Sequence, residues 1–93
     1  MLKIIGYEIW RNGQRAGYVD GDKIRGHDNR ILGYFTSDHV YNAEGRKFAF
    51  IEGDWLSTGV SSARVPLDKV NESIEGGALP EIGKCAVYLL IGA

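Results

Sequence analysis

Apolar and polar residues alternate along short stretches of this chain, and glycine, asparagine and aspartate separate the stretches. Alternation with a period of two is typical of half-buried β-strands, and the separating residue types favour tight turns. The clearest turn signal is Asn12-Gly13, because both residue types tolerate the positive φ angles of a type I′ turn. The pattern therefore predicts a mainly β domain built from successive hairpins.

The hairpin pattern recurs with a period of about 16 residues. Residues 22–37 and 38–53 align position by position, with Asp22 on Asp38 and Arg30 on Arg46. Weaker copies extend the pattern to four units, 6–21, 22–37, 38–53 and 54–69, so that the repeats cover about residues 6–69. The first unit has a shorter outgoing arm, and the fourth carries residues 57–62 where the others have a turn signature. Atypical end units are expected in a repeat array.

Alternation also assigns the two faces of the predicted strands. One repeated position is always small, and this predicts that neighbouring backbones approach closely there. Its occupants are Gly17, Gly33 and Ala49. The residues expected to point inward from the outgoing arms are Ile24, Val40 and Leu56. The residues expected on the opposite face of the return arms are Leu32, Tyr34, Phe48 and Phe50.

After Pro66 the pattern changes. Leu67, Val70 and Ile74 have helical spacing, so we predict a short helix over 67–75 that ends at Gly76-Gly77. The nearly continuous apolar run 84–91 is interpreted as a buried strand that closes the fold by pairing with residues 2–7. Helix and closing strand together cover 67–91, and the whole chain, 1–93, is predicted to form one domain.

The hairpins with Gly-Tyr or Ala-Phe return arms resemble the four-fold beta-flower domains of bacteria. The resemblance rests on residues 9–19, 24–35 and 40–51, and more weakly on 54–67. It implies a fold and no catalytic residue. The G-x-x-x-G-Y/F-V steps of the strands are also similar to those of PRC-barrel-like proteins, which is the competing resemblance.

Charge and cysteine content exclude several classes of function. The net charge of −1 removes the main electrostatic argument for nucleic acid or an anionic membrane as a partner. The apolar start of the chain is too short for a signal peptide, and no apolar stretch has the roughly 20 residues of a membrane helix. The single cysteine, Cys85, is expected to be an inert apolar residue, and we expect a cytoplasmic protein.

Two polar sets are candidates for a binding site. Asp22, Asp38 and Asp54 recur with the repeat and could ring a hard cation, although turn capping is the favoured interpretation. Arg30 and Arg46 flank matching turns and could hold a carboxylate or phosphate, although solvated charge is more common there. We predict no metal, no cofactor and no catalytic residue, because no histidine–cysteine spacing, phosphate loop or triad is present.

The aromatic side chains Trp10, His39, Tyr41 and Trp55 are predicted to point away from the core, on the same side as Tyr18, Tyr34 and Phe50. The favoured interpretation is that the C-terminal helix and strand cover them; the alternatives are a subunit interface and a ligand groove. The leading hypothesis is a non-catalytic interaction or assembly module that forms a homodimer. The alternative is a small-molecule- or metal-binding domain that uses the outward aromatic face or the periodic aspartates, and a hydrolase-like enzyme is the third and weakest hypothesis.

Overall fold

A computed structural model describes residues 2–58, 64–77 and 79–92 of the chain. Residues 57–62, which replace the turn signature in the predicted fourth unit, lie partly outside the described residues. The strands are β1 Leu2–Ile5, β2 Glu8–Arg11, β3 Gln14–Asp20, β4 Lys23–Gly26, β5 Ile31–Phe35, β6 His39–Asn42, β7 Lys47–Glu52, β8 Trp55–Thr58, β9 Arg64–Pro66 and β10 Ile74–Gly76. The helices are α1 Leu67–Ser73 and α2 Glu81–Val87, and α2 continues into a π-helical turn, Tyr88–Gly92.

The strands form one 10-stranded sheet in the order β10-β1-β2-β3-β4-β5-β6-β7-β8-β9. Neighbours from β1 to β9 pair antiparallel, whereas β1 and β10 pair parallel. Both Asn12 and Gly13 have positive φ at the turn between β2 and β3, as the turn prediction requires. The predicted mainly β fold is confirmed, and so is a short helix that begins at Leu67. The predicted end of this helix at residue 75 is wrong: it ends at Ser73, because Ile74–Gly76 pair with β1 as a strand.

One backbone hydrogen bond recurs at matching positions of the four predicted units. The amide donors are at positions 19, 35, 51 and 67, at intervals of about 16 residues. Their carbonyl acceptors are Tyr7, Asp22, Asp38 and Asp54. Each bond joins the residue just before an outgoing strand to a residue at or near the end of the return strand of the same unit. The interval between the first two acceptors is one residue shorter than the others, where the sequence has a shorter arm.

The assignment of Leu32 and Phe48 to the face opposite the core is wrong. In the units of Leu32 and Phe48 the outgoing strand has a register shift against its return strand, between Ile24 and Arg25 in β4 and between Val40 and Tyr41 in β6. The shift leaves one extra residue on the return strand, and strict alternation fails at such a bulge. The extra residues, Ala16, Leu32 and Phe48, pack against the hydrophobic core.

The predicted closing strand over 84–91 is also wrong, because this segment is helical. Residues 2–7 do not pair with it; β1 pairs with β10 on one side and β2 on the other. A continuous apolar run predicts burial, but its periodicity does not separate a buried strand from a buried helix. Pro80 fits a helix that begins at Glu81, since proline is favoured next to a helix start. We call Glu81–Gly92 the plug helix.

The sheet is strongly curved around the plug helix. The seven-residue helix α1 joins β9 at one edge of the sheet to β10 at the other, and it contacts both strands. A helix of that length spans only about 10 Å, whereas ten flat strands would place their edges about 43 Å apart. The edges must therefore curl toward each other. The buried side chains of the plug helix, including Ile82, Cys85 and Val87, form one core with the inward residues of the sheet.

The repeated small position lies against this helix. A Cβ added at Gly33 would meet the carbonyl oxygen of Tyr41 on the next strand and come within 2.7 Å of Leu90 Cδ1. At Gly17 it would meet the carbonyl of Arg25 and lie 3.0 Å from Ile91 Cδ1. The predicted close approach of neighbouring backbones is confirmed, and the plug helix adds a second layer of crowding.

Candidate functional site

Four aromatic rings form a continuous strip on the convex face of the sheet, opposite the plug helix. Tyr34 on β5 pairs with Tyr41 on β6, and His39 on β6 pairs with Phe50 on β7. The ring centroid of His39 lies 5.9 Å from that of Phe50 and 6.4 Å from that of Tyr41. All four residues are half-buried. We call them the aromatic strip.

Trp55 extends the strip onto β8. Phe50 pairs with Ser57, and Trp55 lies two residues from Ser57 on the same face, so the two rings are diagonal neighbours. Trp55 is 42% exposed, which is high for so large an apolar side chain. The structure therefore places three of the four predicted interface residues, His39, Tyr41 and Trp55, along one surface.

Trp10 belongs to a different place on the molecule. It lies on β2, paired with Lys3 of β1 and, beyond a bulge, with Arg15 of β3. Its ring lines a separate groove of about 370 Å³ together with Ile5 and Glu75. Its buried indole Nε1–H has no hydrogen-bond acceptor among the described residues.

The C-terminal segment does not cover the aromatic strip. Buried side chains of α1 and the plug helix, such as Val70 and Val87, belong to the core cluster on the concave face. The strip residues pair across strands on the opposite face. The favoured interpretation, in which helix and strand shield these rings, is therefore wrong, because the expected strand is a helix inside the curved sheet.

The periodic aspartates act through their backbone. The carbonyls of Asp22, Asp38 and Asp54 accept the recurring hydrogen bonds described above. Their carboxylates are exposed; that of Asp38 contacts His39 Nδ1 at 2.7 Å, and that of Asp22 lies 3.8 Å from Lys23 Nζ. Within the described ranges, no three histidine, cysteine, aspartate or glutamate side chains are grouped as metal ligands would be.

The two predicted arginines, Arg30 and Arg46, are not brought together. Arg30 lines a cleft of about 430 Å³, and Arg46 is not among its lining residues. The polar lining of this cleft comprises Arg11, Gln14, Arg15, His27, Asp28 and Arg30. Gln14, which holds the place of Arg30 in the first unit, is thus brought beside it. We call this the basic cleft.

Arg11 is a residue that sequence reasoning missed. Its guanidinium Nη1 donates a 2.8 Å hydrogen bond to the carbonyl oxygen of Ile91 in the last turn of the plug helix. A helix end has carbonyls without intrahelical partners, and a cation there also interacts favourably with the helix dipole. In the sequence, Arg11 is only an arginine before the Asn12-Gly13 turn. Its role could not be predicted, because the plug helix that it contacts was not predicted.

Among the described residues, two titratable groups have perturbed pKa values. The backbone N–H of Arg30 donates to Asp28 Oδ1 at 3.1 Å, and this bond, with the charge of Arg30, lowers the pKa of the Asp28 carboxyl. Asp28 is therefore a carboxylate at neutral pH. Burial in the plug helix raises the pKa of the Cys85 thiol to about 12. A neutral, fully buried thiol is a poor nucleophile, which agrees with its expected role in packing.

No family model, curated protein or solved structure matches the chain. Among the described residues, no helix has both the length and the apolar character needed to cross a bilayer.

Proposed function

We propose that this protein is a non-catalytic interaction or assembly module that self-associates through the aromatic strip and Trp55. The observation that carries the proposal is an aromatic surface spanning β5 to β8 on the face that the helices leave open. In the same proposal, the domain consists of four repeated hairpin units of the beta-flower kind from a bacterial cytoplasm. The recurring backbone hydrogen bonds and the single buried thiol support that part.

The driving force is burial of aromatic surface. Complete burial of one such side chain is worth roughly 2–3 kcal/mol, so a partner that covers several partly exposed rings gains substantially. A two-fold axis allows one patch to serve both partners, since each copy presents the same surface to the other. A second copy of the chain is therefore the simplest occupant of this face.

The edges of the sheet are poor alternatives for association. The edge strands β9 and β10 have three residues each, and β9 ends at Pro66, which has no backbone N–H. Short edge strands and proline are devices that prevent strand addition. Association through the convex face is consistent with these protected edges.

Sedimentation velocity of the purified protein at micromolar concentration tests the proposal. We expect the parent to be a dimer and Trp55→Arg to be a monomer with an unchanged circular dichroism spectrum, because a charge on the strip cannot be buried without a partner. Tyr7→Arg is the matched control: Tyr7 is 73% exposed but lies in the turn before β2, away from the strip. It should leave the dimer intact.

A monomeric parent, or loss of the dimer in Tyr7→Arg as readily as in Trp55→Arg, would contradict this assignment.

A small-molecule-binding domain is the second candidate, and the basic cleft is the observation that favours it. Native mass spectrometry of the same preparation detects a co-purified ligand and so separates the two functions.

A further inference from the structure

We propose that the basic cleft binds a small organic anion, with a carboxylate or phosphate group held by Arg11 and Arg30 and an apolar body resting on Leu32 and Leu90. This inference is independent of self-association, because the cleft and the aromatic strip share no residue. The ligand class follows from three features: the charge of the lining, its apolar floor and its rigidity.

Two guanidinium groups from neighbouring hairpins provide the positive charge. Arg11 at the end of β2 is anchored by its bond to Ile91, and a guanidinium with five N–H donors can bind an oxyanion while keeping that bond. Arg30 follows the turn between β4 and β5 and its side chain is 79% exposed. Arginine is suited to this role, since its planar donors match the oxygens of carboxylate and phosphate.

The remaining charges of the lining leave the cleft net positive. Arg15 stands at the rim, where its Nε lies 3.1 Å from Glu8 Oε2. Asp28 is the one acidic residue among the described lining residues. Its Oδ1 accepts the backbone N–H of Arg30, and its Oδ2 lies 3.8 Å from Arg30 Nε, a distance that allows the guanidinium to turn toward a ligand.

The floor of the cleft is apolar. It contains Ala16 and Leu32, the extra residues at two bulges, together with Leu90 and Ile91 from the π-helical turn. Because the bulges turn these side chains toward the core face, they lie beneath the charged rim. The volume of about 430 Å³ falls in the range of small-molecule sites, and a charged rim above an apolar floor suits an anion with an apolar body. The π-helical turn is also a conformation often found at such sites.

The turn that carries Asp28 and Arg30 is held in place from outside the cleft. Arg25 Nη1 donates a 3.0 Å hydrogen bond to the carbonyl of Asn29, and the Tyr18 hydroxyl is hydrogen-bonded to Asn29 Oδ1. Asn29 has a φ of 70°, a left-handed conformation that these contacts stabilise. A preorganised turn loses little conformational freedom when a ligand binds, which favours affinity.

The third unit provides a built-in comparison. Arg46 holds the position of Arg30 one repeat later, but it does not line the cleft. The reason is the course of the plug helix, whose last turn contacts Gly17, Gly33 and Arg11 in the first part of the sheet. Arg46→Gln therefore removes the same charge at the same repeat position without removing a cleft residue.

Isothermal titration calorimetry at low salt, with phenyl phosphate and benzoate as probes, tests the inference. We expect saturable binding of at least one anion, weakening as salt is added, and no binding of the neutral analogue benzyl alcohol. Arg30→Gln should weaken binding about tenfold or more, because it removes a charge-assisted contact. Arg46→Gln should bind as the parent does.

Arg11→Gln is the second variant, and its fold is checked by circular dichroism because Arg11 also bonds the plug helix. It should lose affinity as Arg30→Gln does. The proposal is overturned if the parent binds neither anion, if Arg30→Gln and Arg46→Gln lose affinity equally, or if benzyl alcohol binds as well as the anions. These outcomes are separate from the sedimentation test, so either proposal can fail alone.

Discussion

The concave and convex faces of the sheet are built from the same strands but follow different rules. On β8, Leu56 is fully buried against the core, whereas its neighbour Trp55 is 42% exposed on the outside. Concave positions are mostly aliphatic or small, with Phe35 and Phe48 as aromatic exceptions, and they form one core with the plug helix. Convex positions from β5 to β8 carry the aromatic strip and Trp55, and the rings lie beside one another and beside polar groups such as the Asp38 carboxylate. The concave face therefore determines stability, and the convex face is free to serve association.

The largest expected effect lies at the neighbouring pair on β8. Leu56→Ala removes a fully buried side chain and should lower the free energy of unfolding by about 2–5 kcal/mol. Trp55→Ala should lower it by less than about 1.5 kcal/mol, because much of this ring is already in water. Urea denaturation at submicromolar protein concentration, where association adds little, measures both. Equal losses would erase the distinction between the faces.

Gly33→Val tests how closely the plug helix packs on the concave face. The new side chain would overlap the Tyr41 carbonyl and Leu90, and overpacking of this kind costs about 1–3 kcal/mol. Gly33 does not have a positive φ, so crowding is the cause and not backbone strain. Tyr34→Val, next along β5 on the convex face, loses only ring contacts worth up to about 1 kcal/mol. A denaturation midpoint for Gly33→Val equal to that of the parent would refute the crowding.

Cys85 reports on burial of the concave face through pH. Its pKa is raised to about 12 in the folded protein from 9.0, so the unfolded chain loses this proton first as pH rises. The stabilising contribution is complete below pH 9.0 and is lost as pH rises toward about 12. Stability should fall more steeply above pH 9.0 in the parent than in Cys85→Ala. Parallel curves for the two proteins would mean that the thiol is not shielded.

The smallest effect on stability is expected from adding calcium or magnesium at the periodic aspartates, Asp22, Asp38 and Asp54. Their carbonyls hold the recurring hydrogen bonds and their carboxylates are exposed, so calcium or magnesium should leave the melting temperature unchanged. Asp38→Ala should behave identically with and without either ion. A rise in melting temperature with calcium that disappears in Asp38→Ala would establish a metal site and contradict our interpretation.

The local pattern of the chain determined the hairpins and their spacing. Alternation placed Ile24, Val40 and Leu56 in the core, and Asn12-Gly13 marked a turn, because strand pleat and turn geometry depend on a few adjacent residues. The small repeated position could also be recognised in the sequence. A small residue there indicates that another segment of the chain packs closely on the backbone, whichever segment that is. His39, Tyr41 and Trp55 could be assigned to the outer face on the same grounds.

Tertiary structure decided the rest. The run 84–91 is apolar on every side, so burial alone allowed a strand or a helix, and the space inside the curved sheet selects the helix. The bulges that turn Leu32 and Phe48 inward depend on pairing between strands, which alternation within one strand does not record. The basic cleft depends on both, because Arg11 and Arg30 line one cleft with the extra residues of two bulges and with the last turn of the plug helix.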